Sequence, residues 1–170
     1  VFIAGAPGSG RSVFIEHILH EYASQAICAR AAWCEGESRP LSAISQALSS
    51  AAHDVLVRSD DEIAVLRATL HDHLGQIGQV ILDIAPEWSH VLGAQSALPT
   101  LGPQESRIRL HHAFRRFVDA LGQSGLFVLA FENLDCADGP SLELLQAVLD
   151  AEGEAHVLVV ASVTDATRAG

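Results

Sequence analysis

A chain of 170 residues, 49% of them hydrophobic, is long enough for one domain with a substantial core. Its formal charge of −11 argues against a grip on nucleic acid, which needs clustered cations. No apolar run approaches the roughly 18–20 residues of a membrane span, and the first residues lack the charged-then-apolar order of a signal peptide.

The chain opens on VFIA, residues 1–4, a short apolar run of the kind a buried parallel strand uses. It runs straight into GAPGSGRS, residues 5–12. A phosphate-binding loop reads G-x-x-x-x-G-K-[ST], and Gly5, Gly10 and Ser12 fit it while Arg11 takes the Lys position. From Ser12 onward Ile15, Ile18, Leu19 and Tyr22 recur at helical spacing. Strand, Gly-rich loop and helix are the context such a loop requires.

A second strand is expected at about 26–33 (AICARAAW). Leu41, Ile44, Leu48, Ala52 and Val55 predict a helix over 41–58. Another is expected over 60–82, weakened toward its end by Gly75 and Gly78. A short helix follows Pro86 (EWSHVLG), and residues 94–103 read as a Pro/Gly-containing loop. Gly102-Pro103-Gln104-Glu105 has the form of a helix start, with Pro in the first turn and an acid near the positive dipole end. That helix carries Leu110, Phe114, Phe117, Val118 and Leu121 on one face. GLFVLAFEN, 125–133, is apolar and ends in polar residues, as a central strand does where it meets a ligand. Pro140 opens a helix expected to turn Leu142, Leu145, Val148 and Leu149 inward, and HVLVVASV, 156–163, is a last buried strand. Strands alternating with helices make an α/β fold with a parallel sheet.

The chemistry rests on two motifs. In the loop, glycines let backbone N–H groups face phosphates at the positive end of the following helix. Gly5, Ala6, Pro7, Gly8, Ser9, Gly10, Arg11, Ser12 and Val13 are therefore the candidate nucleotide-binding residues. Arg11 keeps the positive charge of the usual Lys, but its planar fork is longer and wider. All ten of the residues counted as Lys or Arg are arginine, so no other lysine can substitute. The partner motif is an apolar strand ending in an acid for Mg²⁺ and an acid that orients water. Here FVLAFEN supplies Glu132 and Asn133. Glu132, with Ser12, is the candidate Mg²⁺ ligand. Asn133 stands at the catalytic-acid position, and its carboxamide cannot take a proton.

Other constellations point elsewhere. His71 and His73 fall on different faces of a helix, and His111 and His112 are adjacent, so neither pair has the i, i+4 geometry of a helical metal site. Arg107, Arg109, Arg115 and Arg116 can reach a phosphate or form a basic face on an acidic surface. Three cysteines, Cys28, Cys34 and Cys136, without CxxC spacing, suit a reducing compartment rather than a disulfide framework.

From the loop onward the chain resembles the AAA-type P-loop ATPase module, of the signal-transducing STAND kind, of large bacterial signalling proteins. The resemblance rests on GAPGSGRS, RPLSAISQAL, GQVILDIAPEWSHVLG, GPQESRIRLHHAFRRF and LFVLAFENLDCADGPSLELLQ. It implies a P-loop NTPase sandwich with sheet order 5-1-4-3-2, whose fifth strand and helical lid would lie beyond Gly170. It also implies ATP or ADP with Mg²⁺ as ligand, and neighbours of the serine/threonine kinase, GAF or histidine-kinase type in the same chain. Against the family pattern, Arg11, Glu132 and Asn133 are substitutions, and the stretch Leu134-Asp135-Cys136-Ala137-Asp138 keeps only the final Asp of L-Q-W-A-D. Val163-Thr164-Asp165 lacks the Arg of the usual Y-R-D.

The absence of Met and the opening on Val1 are read as a single domain, 1–170, cut from a longer protein. The expected function is a regulatory nucleotide switch with weak or no hydrolysis. A scaffold that binds no nucleotide and a working Mg-dependent ATPase are the alternatives. The expected partners are neighbouring kinase or sensor domains, with oligomerisation through the module, and neither nucleic acid nor membrane. The expected location is cytoplasmic.

Overall fold

The computed structural model describes residues 1–36, 39–150 and 155–164. Four strands, β1 (Phe2–Gly5), β2 (Ala26–Ala32), β3 (Leu126–Glu132) and β4 (Val157–Thr164), form one sheet in the order β1-β4-β3-β2. Every pairing is parallel, so each connection crosses over through helices. The order agrees with the arrangement the resemblance implies for strands one to four, and the fold is α/β of the P-loop NTPase kind. Asp165 lies outside the described residues.

Alternation along the strands divides the interior in two. One face of the sheet sends Ala130 and Val160 toward Ile15 of helix α1 (Arg11–Tyr22), with Ile3, Ile18, Leu19 and Leu158 around them. The opposite face sends Ile27, Ala29, Ala31, Phe127, Leu129 and Phe131 into the main core. There they meet α2 (Ser42–Leu56), α3 (Asp60–Leu74), α6 (Pro103–Gln123) and α7 (Gly139–Leu149). Strand β3 is buried along nearly its whole length, which is why its sequence reads as a continuous apolar run and not as an alternation.

The expected helix over 60–82 is two helices. Gly75 adopts φ 51 and ψ −120, a conformation that favours glycine. It ends α3, a turn of 3₁₀ helix follows at Gly75–Ile77, and α4 (Gly78–Ile84) comes next. The short helix after Pro86 is a 3₁₀ turn, Pro86–Trp88, continued by α5 (Ser89–Leu92). The start of α6 is as read: the Glu105 carboxylate accepts from the Gly102 amide at 3.0 Å. Of the residues expected inward on α7, Leu145 is buried, but Leu142 and Leu149 are exposed. The reason is the cap. Asp138 caps α7 at Gly139 and is itself anchored to the Leu41 amide and Trp33 Nε1, and the helix held there presents Ser141, Leu144 and Leu145 to the core.

Candidate functional site

The Gly-rich loop joins the C-terminal end of β1 to the N-terminus of α1. Gly8 (φ 78) and Gly10 (φ 88) are both left-handed, so a side chain at either is strained even though space is free around them. Ser9 donates its amide to the Ala6 carbonyl at 3.1 Å, which closes the turn, and Phe14 donates to Gly10 at 2.9 Å. No side chain caps α1. The N–H groups of its first turn therefore face outward with the positive end of the helix, an arrangement that suits an anion. A cleft of about 920 Å³ runs along this loop, lined by Gly5, Ala6, Ser9, Gly10, Arg11 and Val13 among others. Pro7 and Gly8 are exposed at the loop's tip. The loop residues fit a phosphate.

Arg11 lines the cleft and ties the loop to the end of β4. Its Nη1 donates to Thr164 Oγ1, at the end of β4, at 3.1 Å, and the Thr164 amide donates to Asp135 Oδ1 at 3.0 Å. That amide bond is the main reason the Asp135 carboxyl is held below the usual aspartate range, with the Arg11 charge contributing.

Ser12 and Glu132 meet, as candidate ligands of one ion would: the Ser12 hydroxyl donates to Glu132 Oε2. The other carboxylate oxygen is taken. Arg30, on β2, donates to Glu132 Oε1 through Nε at 3.0 Å and through Nη2 at 2.7 Å. Its Nη1 reaches Glu16 on α1 at 3.2 Å. Burial alone would raise the Glu132 carboxyl. The Ser12 and Arg30 hydrogen bonds, with the Arg30 and Arg11 charges, outweigh it and hold the group below the usual range. Oε1 of Glu132 is thus taken by a guanidinium that neutralises its charge, and Oε2 and the Ser12 hydroxyl are left as the oxygens facing the loop.

Asn133 follows in the left-handed region (φ 57), which Asn tolerates better than most residues. Its carboxamide nitrogen donates to the Trp33 carbonyl at 3.1 Å, and its amide donates to Ser162 Oγ at 3.3 Å. The side chain is therefore committed to tying the ends of β2 and β3 together.

Arg30 carries a central role and was missed in the sequence. The available signal was a lone cation inside the apolar strand AICARAA, where burial demands a partner. Asp138 carries more than its place in the resemblance suggests. It accepts from the Ser141 amide (3.0 Å) and hydroxyl (2.6 Å), the Leu41 amide (3.3 Å) and Trp33 Nε1 (3.4 Å). Burial pushes its carboxyl up, but these donors prevail and hold it below the usual range. A depressed carboxyl contributes stability above the ordinary aspartate range and loses it as pH falls through its folded value. Asp138→Ala is expected to cost about 1–2 kcal/mol. In urea titrations the gap between variant and wild type should be full at neutral pH and close in acid.

The remaining candidates stay apart from this cluster. Arg107 pairs with Glu143, Arg109 donates to the Pro99 carbonyl, and Arg115 pairs with Asp119. Among the described residues, no group of three or more His, Cys, Asp or Glu side chains can hold a metal ion, and no helix is long and apolar enough to cross a membrane.

The family model for the AAA ATPase domain matches residues 1–160. The chain belongs to that family. A search of the curated proteins finds no match. The AAA ATPase family generally binds ATP or ADP with Mg²⁺, and membership associates this fold with nucleotide binding and ATPase activity.

Proposed function

We propose that this AAA ATPase domain is a regulatory switch that binds ATP or ADP and turns it over slowly or not at all. One observation carries the reading. The loop of Gly8 and Gly10 leaves the first turn of α1 open to a phosphate, while the residue at the water-orienting position, Asn133, is a carboxamide bonded to the Trp33 carbonyl. Binding is supported by the first half of that observation and turnover is opposed by the second. A module of this kind acts by differential affinity: nucleotide favours one arrangement of the chain over another. The partners it would bias are kinase or sensor domains of the same cytoplasmic signalling protein.

The test is calorimetric titration of ATP and ADP, paired with a phosphate-release assay. Micromolar binding with negligible release supports the switch. Gly10→Val should abolish that binding, because a β-branched residue is strongly disfavoured at φ 88. Its circular dichroism spectrum should match wild type, since a side chain there meets nothing within 4 Å. Rapid release sensitive to Ser12→Ala or Glu132→Gln would replace the switch with an ATPase. Absence of binding at millimolar nucleotide would leave a scaffold.

A further inference from the structure

We propose that Arg30 occupies the electrostatic place of the divalent cation, so that this site takes its nucleotide without Mg²⁺. The inference rests on the nucleotide-binding reading above and adds the form of the ligand: the metal-free di- or triphosphate.

The argument starts from charge. A carboxylate beside a phosphate site repels the ligand unless a cation stands between them. Glu132 is 8% exposed, so water screens it little, and removal of its counter-charge would leave a buried anion. Arg30 supplies that counter-charge from within the protein. It comes from the strand next to β3, two residues before Ala32, the register partner of Glu132, and so lies on the same face as Glu132. Two of its N–H groups lie on one carboxylate oxygen and a third reaches Glu16. Glu16 is one helical turn beyond Ser12 on α1, so Arg30 bridges the helix that starts at the loop to the strand that ends at Glu132.

The same geometry works against metal. Mg²⁺ demands oxygen ligands in near-ideal octahedral arrangement and gives up water reluctantly. Here Glu132 Oε1 faces a guanidinium, and Oε2 accepts from Ser12. An arriving cation could share the Ser12 hydroxyl and Oε2, but it would have to displace Arg30 from Oε1 or sit close to a fixed positive charge. Arginine cannot make way by losing its proton. With Arg11 also close enough to lower the Glu132 carboxyl, two positive side chains flank this carboxylate. Arg30 is shared with Glu16, so what the site gains is a neutralised carboxylate that no longer repels the phosphates of metal-free ATP.

The experiment titrates ATP into the protein in EDTA and again in millimolar Mg²⁺. Wild type should bind within about threefold under the two conditions, and Arg30→Gln should bind at least tenfold more weakly in EDTA than in Mg²⁺. Wild-type binding tenfold or more tighter in Mg²⁺ overturns the proposal, and this comparison stands whether or not the variant folds. A second arm needs no nucleotide. Millimolar MgCl₂ should raise the melting temperature of Arg30→Gln, whose Glu132 then lacks its guanidinium, and leave wild type and the Arg30→Gln/Glu132→Gln double variant unmoved. A wild-type shift equal to that of Arg30→Gln would also overturn the proposal. Failure of ATP to bind under any condition would defeat the nucleotide reading, while the melting arm still reports whether Arg30 holds the cation's place.

Discussion

Trp88→Ala is expected to remove about 3–5 kcal/mol of stability, a large share of what a domain of this size has. Trp88 is fully buried. It meets Phe117 of α6 edge to face, with centroids 4.7 Å apart, and its Nε1 donates to the Leu48 carbonyl of α2 at 2.8 Å. One side chain thus pins the 3₁₀ turn after Pro86 between two helices that cover the sheet. Truncation opens a cavity at their junction and forfeits the ring pair. Trp88→Phe keeps an aromatic body and gives up the hydrogen bond, so it should cost clearly less. Equilibrium urea unfolding of both variants checks the order. Equal losses in the two would mean that the indole hydrogen bond, and not the packed volume, holds the segment. The phosphate loop lies on β1 and α1, whose small core of Ile15, Ala130 and Val160 is on the other face of the sheet. A Trp88 variant that still folds should therefore retain most of its nucleotide affinity.

The parts of this fold that were legible in the sequence are those whose signal is local. VFIA, the glycine loop and the apolar periodicity after Ser12 lie within a few residues of one another, and strand, loop and helix appear there. The run at 125–133 and the Gly102-to-Glu105 start are local in the same sense. Periodicity failed on α7 because apolar residues stand at Leu142, Leu144, Leu145, Val148 and Leu149, more than one stripe can hold. The face was decided by tertiary anchoring, with the capping Asp138 held by the Leu41 amide and Trp33 Nε1. The break at Gly75 was half legible: glycine weakens a helix, but whether the chain turns there depends on where α4 finds its packing. The site divides in the same way. Ser12 and Glu132 could be paired from their motifs. Arg30 and Glu132 are 102 residues apart in the chain, and only the parallel register of β2 on β3 puts the guanidinium on the carboxylate. The tie from Asn133 to Trp33 likewise spans 100 residues. Sequence reading sees an amide at Asn133; the fold supplies the bond that the amide makes.

On the switch reading, rapid turnover is expected to need three changes and not two. Arg11→Lys returns a compact ammonium to the loop, and Asn133→Asp returns a carboxylate where water must be oriented. A carboxylate cannot donate to the Trp33 carbonyl as the Asn133 amide does. It would be repelled from that oxygen and freed to face the loop, with a loss of about 1 kcal/mol for the bond. With Arg30 in place, however, Glu132 stays neutralised and closed, so the double variant should remain near wild-type phosphate release in Mg²⁺. Adding Arg30→Gln opens Glu132, and the triple variant should gain about 10²-fold, the lower end of what a positioned acid or base contributes. Single-turnover phosphate release at saturating ATP separates these effects from binding. A full gain in the double variant would show that Arg30 is no barrier and would count against its role as the site's cation. Absence of gain in a triple variant that still binds ATP would place the missing chemistry outside these three positions, and Asp135, held by the Thr164 amide, would be the next residue to replace.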